Sequence, residues 1–82
     1  MIELDLAELY EQIHSYKRQI QNLQDGIKAF SSILDENKDC ENKAKSIEGI
    51  IEKLERELSI TLFKCALAES QIYREESKKG RH

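Results

Sequence analysis

The sequence predicts an all-α protein: an antiparallel two-helix hairpin of coiled-coil type, forming part of a larger bundle or oligomer. Three observations point there. The 82 residues contain no proline and only three glycines, so the turn chemistry that sheets require is nearly missing. Charged residues make up 35% of the chain, with both signs interspersed, as on the solvated sides of long helices. Apolar residues also recur at alternating gaps of three and four, which is the spacing of a stripe along one side of a helix.

The first stripe has Leu6, Ile13, Ile20, Ile27 and Leu34 at heptad position a, with Ile2, Leu9, Tyr16, Leu23 and Phe30 at d. It places helix 1 at about residues 3–35. Glu3, Asp5, Glu8 and Glu11 put negative charge on its first turns, where the helix dipole favours it. The stripe then stops, because residues 35–43, DENKDCENK, hold no large apolar side chain.

It resumes at Ala44, Ile47, Ile51, Leu54, Leu58, Thr61, Cys65, Ala68 and Ile72, with the register slipped by three. One long continuous coiled-coil helix absorbs such a slip as a stammer. A hairpin absorbs it by reversing at about 36–40, with Asn37 ending helix 1 and Asp39 capping helix 2. Side-chain size favours the hairpin. Antiparallel pairing sets the small Thr61, Cys65 and Ala68 opposite Tyr16, Ile13 and Leu9, as interdigitating layers require. Against it, the turn has no Gly or Pro, while Gly26 and Gly49 fall inside the helices at about 1 kcal/mol each. Helix 2 is expected over about 41–75, supported by Glu41–Lys45 and Glu52–Arg56 pairs at i,i+4. The segment 76–82 has no stripe and is expected to fray. Residues 1–82 read as one helical-hairpin domain.

One segment of helix 2 does not fit a simple hairpin. In LSITLFKCALA, residues 58–68, Leu58, Thr61, Cys65 and Ala68 belong to the seam that meets helix 1. Ile60, Phe63 and Leu67 fall at positions c, f and c, on the far side of the same helix. They form a second stripe, with Leu62 at its flank and Ala66 and Tyr73 at its margin. Antiparallel pairing also brings Leu4, Ala7 and Tyr10 beside this region. A helix apolar on opposite faces needs more than one neighbour. Ile60, Leu62, Phe63, Leu67, Tyr73, Leu4 and Tyr10 are therefore the expected partner-binding residues.

Other chemistries find little support. Catalysis needs a nucleophile, a base and a cavity to hold them; His14 falls at a solvent-facing b position and His82 in the tail. No catalytic, cofactor-binding or metal-ligating residue is expected, and no enzyme. The net charge of −3 argues against a nucleic-acid surface, and Asp25 interrupts the basic Lys17, Arg18 and Lys28. The start, MIELDLAELYE, is acidic where a signal peptide is basic, and no apolar run approaches the length of a membrane span. Cys40 and Cys65 match no disulfide framework or metal motif. A cytoplasmic protein with reduced thiols is expected.

The polar turn between two long helices, and a second helix ending apolar with aromatics (ITLFKCALAESQIY), resemble the small co-chaperones of type III secretion needle subunits. That resemblance in layout implies a hairpin that packs on a larger, helical-repeat chaperone, the pair keeping the needle subunit from polymerising. From the residues themselves, the expected role is a protein-interaction module, an adaptor or chaperone subunit whose second helix packs on another protein. Two alternatives stay open at this point: a self-assembling four-helix-bundle homodimer or parallel coiled coil, and a dimeric RNA- or DNA-binding hairpin.

Overall fold

The computed structural model describes residues 5–79. It contains two α-helices, α1 (Leu6–Glu36) and α2 (Glu41–Lys79), packed side by side. The antiparallel hairpin is therefore the fold, 65 × 21 × 16 Å along its principal axes. The three-residue slip in the heptad pattern is a chain reversal and not a stammer in one long rod.

Local chemistry sets each helix end. The backbone of Asp5 is extended, and its carboxylate accepts the Glu8 N–H at 2.9 Å. That N-cap satisfies one of the free amides of the first turn, and α1 starts at Leu6. Residue 3, the expected start, lies outside the described residues. At the other end Asn37 closes α1, as expected. Its backbone N–H donates to the Leu34 carbonyl at 3.0 Å and its side-chain amide to the Ile33 carbonyl at 2.7 Å. Two terminal carbonyls are thereby satisfied without an αL residue.

The reversal itself is a tight turn. The Cys40 N–H donates to the Asn37 carbonyl, and the Cys40 carbonyl accepts the Ala44 N–H. Cys40, not Asp39, thus occupies the position before α2. The bond back to Asn37 uses up the intervening residues, so Asp39 sits one place too early to cap. No described residue has a positive φ, which is why the turn forms without glycine.

α2 continues to Lys79, four residues past the expected end at 75, and residues 80–82 lie outside the described residues. No proline or glycine interrupts 72–79, and the Tyr10 hydroxyl donates to the Glu76 carboxylate at 2.5 Å, tying this end of α2 to α1. The Glu41–Lys45 pair forms at 4.0 Å. The Glu52–Arg56 pair does not form among the described residues, consistent with how little an exposed pair contributes.

The seam packs as its spacing predicts. Leu9 and Ile13 of α1 cluster with Cys65, Ala68 and Ile72 of α2, and Leu6, Tyr16 and Ile20 close over them. Thr61 is also buried, its hydroxyl donating to the Glu57 carbonyl at 2.9 Å. The fully buried residues therefore concentrate at the open end of the hairpin, where small side chains on α2 make room for large ones on α1. Toward the turn the seam residues Leu23, Ile27, Phe30, Leu34, Ile47, Ile51 and Leu54 are only half-buried. Gly26 faces this stretch, with Leu54 Cδ1 3.5 Å from where a Cβ would stand.

Candidate protein-docking face

Phe63 precedes Cys65 by two residues, about 200° around a helix that advances about 100° per residue. With Cys65 buried against α1, Phe63 must point away from it, and it is 65% exposed. Ile60 and Leu67 lie a turn to either side on the same line and are each about half exposed. Three large apolar side chains thus run along the back of α2, opposite the seam. Among the described residues, none of the three belongs to the buried cluster.

The other expected docking residues divide between two places. Tyr10 and Tyr73, both more than half exposed, line an open groove of about 310 Å³ between the helices near the open end, with Lys17, Glu69 and Glu76. This lies about 15 Å along the helix from Phe63, at 1.5 Å per residue. Leu62, nearly half exposed, is at position e, on the same flank as Tyr10. Leu4 lies outside the described residues. The apolar surface is therefore a line at the back of α2 plus a tyrosine-rimmed groove at its side. Ile33 and Ile50, two exposed apolar residues on the opposite flank, were not expected. Each immediately precedes a seam residue, and that adjacency hid them among the stripe positions.

Two titratable groups are displaced from their ordinary values. The Tyr10 hydroxyl is raised above 10.0 because it donates to the Glu76 carboxylate and would face that charge if ionised. The Cys65 thiol is raised above 9.0, first by burial and then by its 3.3 Å hydrogen bond to Glu69, with Lys17 opposing. Cys65 is thereby held as a protonated, packed side chain, whereas Cys40 is an exposed free thiol in the turn. His14 is exposed. Among the described residues no three His, Cys, Asp or Glu side chains gather in a metal-binding cluster. Neither described helix is long and apolar enough to cross a membrane.

Fold and surface together define a helical hairpin with one face paired and the opposite face bare. No protein-family model, curated protein or solved structure matches the chain.

Proposed function

We propose that this chain is a non-enzymatic docking subunit, an adaptor or co-chaperone whose α2 packs its outer face on another protein. The line Ile60–Phe63–Leu67, bare and directed away from the seam, carries the reading. Such i, i+3, i+7 anchors are how an amphipathic helix enters an apolar groove. Covering the exposed half of each would contribute about 1 kcal/mol or more per side chain, and central aromatic anchors commonly dominate such interfaces. The molecule's shape supports it. Its accessible surface is 6796 Å² at 9.6 kDa, where a globular monomer of that mass exposes about 5,100 Å². The surplus, about 1,700 Å², is about twice the roughly 800 Å² that one partner contributes to a standard protein interface.

The specific form with most in common with this layout is a co-chaperone of a type III secretion needle subunit, docked on a helical-repeat chaperone in the cytoplasm. Co-expression with such a chaperone tests it. A stable complex is expected, lost on Phe63→Asp while the variant's far-UV circular dichroism stays helical. Retention of the complex by Phe63→Asp overturns the reading.

The half-buried seam residues near the turn favour one competitor, two hairpins closing into a four-helix bundle. Sedimentation of the purified chain separates the two readings. A compact dimer or tetramer supports self-assembly, and a monomer supports a different partner.

A further inference from the structure

The outer face of α2 carries a charge pattern that limits what can cover it. Ile60, Phe63 and Leu67 have Lys53 and Arg56 before them and Arg74 after them on the same c and f columns. No c or f position of α2 holds a carboxylate, in a chain whose net charge is −3. The closest acids, Glu52 and Glu57, stand in the adjoining columns. Among the described residues, Lys53, Arg56 and Arg74 form no ion pair, whereas Lys38 pairs with Asp35 and Lys45 with Glu41 near the turn. α1 is opposite in sign. Its c and f positions hold Glu8, Glu11, Asp25 and Glu36 against Arg18, with no large apolar side chain among the described residues.

This pattern disfavours a second copy as the cover. An antiparallel α2–α2 contact about Phe63 sets Lys53 beside Arg74 of the other copy, because they lie ten and eleven residues from the centre. A parallel contact sets Lys53 and Arg56 against themselves. Like charges meet either way, which is how surfaces reject a wrong partner. Packing α2 on the outer face of a second α1 matches the charges but offers Phe63 no apolar counterpart. The complementary surface must be apolar in the middle and acidic at both ends.

Resting on the docking reading above, we propose that the outer face of α2 binds an acidic amphipathic helix of a different protein. Its apolar residues cover Ile60, Phe63 and Leu67. Its Asp or Glu side chains meet Lys53 and Arg56 at one end and Arg74 at the other. Arg56 and Arg74 are eighteen residues apart, so the acids must be separated by about 27 Å, at 1.5 Å per helical residue. The cations act at the rim: they select and steer, while Phe63 anchors.

The test uses the full chain and two designed helical peptides with one identical Leu/Ile stripe, one with glutamates at both ends and the other with lysines. Fluorescence anisotropy reads both affinities. The acidic peptide should bind about tenfold tighter at low salt, each rim pair supplying a factor of about two. The preference should shrink at high salt and invert in the Lys53→Glu/Arg56→Glu/Arg74→Glu variant. Phe63→Asp should remove binding of both, with helicity confirmed by circular dichroism. Equal binding of the two peptides, lost in Phe63→Asp, overturns the charge selection and leaves the docking face standing. Binding of neither peptide overturns both. A dimer that Phe63→Asp dissociates makes the occupant a second copy, and the proposal fails.

Discussion

Replacing Leu9 by alanine probes the seam at its deepest point. Leu9 is 1% exposed, the most deeply buried large side chain among the described residues, and it packs in the cluster with Ile13, Cys65, Ala68 and Ile72. Leu→Ala in a core costs about 2–5 kcal/mol, depending on how far the site collapses. Leu9 lies near the open end of a two-helix hairpin, where the helices can close on the void, so the lower half applies, about 2–3 kcal/mol. At about 0.05–0.15 kcal/mol per residue, a chain of this size has about 4–12 kcal/mol in total, and one with so little buried falls toward the low end. At about 4–8 °C per kcal/mol, the loss corresponds to a fall in Tm of about 10–20 °C. Thermal melts followed by circular dichroism at 222 nm measure it. Leu67→Ala provides the contrast, since the same atoms are removed from an exposed site, and its Tm should move by no more than a few degrees. Equal shifts for Leu9→Ala and Leu67→Ala would refute the division of α2 into a paired and a bare face.

Further outcomes follow from the same geometry. No atom outside its own helix backbone and adjacent residues lies within 4 Å of a Cβ built on Gly49, so Gly49→Ala should raise stability by about 0.5–1 kcal/mol; a lower urea midpoint would contradict the site's openness. A maleimide probe under native conditions should modify Cys40 quickly and Cys65 only after unfolding, read by peptide mass spectrometry; equal rates would mean that the seam opens at Cys65. Raised folded-state values for the Cys65 thiol and the Tyr10 hydroxyl mean that ionisation opposes folding. The stability tied to Cys65 is therefore fully present below about pH 9 and lost as pH rises through its higher folded value. Urea melts across that range should show a shallower decline in Cys65→Ala; an unchanged slope would show that the thiol is not responsible.

How far the sequence discloses this molecule depends on which forces act at each point. The seam was legible throughout, because burial on one side of a helix imposes a period on the residues. The slip between Leu34 and Ala44 marked the reversal, since a stripe cannot change register without the chain changing course. Helix ends were less legible. Whether Asp39 or Cys40 takes the capping position depends on the geometry of one turn, and the extension of α2 through 76–79 accompanies a contact between Tyr10 and Glu76, sixty-six residues apart. The missing glycine counted against a hairpin only on the premise that the turn needed a left-handed residue; Asn37 closes it at φ −115°.

The bare face was legible for the reason the seam was: Ile60, Phe63 and Leu67 repeat at helical spacing, out of phase with the first stripe. Tyr10 and Tyr73 are exposed, and their grouping into a separate groove emerges only once the helices are placed side by side. Ile33 and Ile50 are not legible in the same way, because a single apolar residue beside a seam position carries no periodic signal of its own.

Photo-cross-linking from position 63 tests the account most directly. Phe63 replaced by a photoreactive phenylalanine analogue, in the cells that make the protein, should give a discrete adduct with another protein. The same group at the exposed Asn22 on the outer face of α1 should give none. If position 63 yields no more adduct than position 22, the back of α2 is bare in use, and the docking role is contradicted.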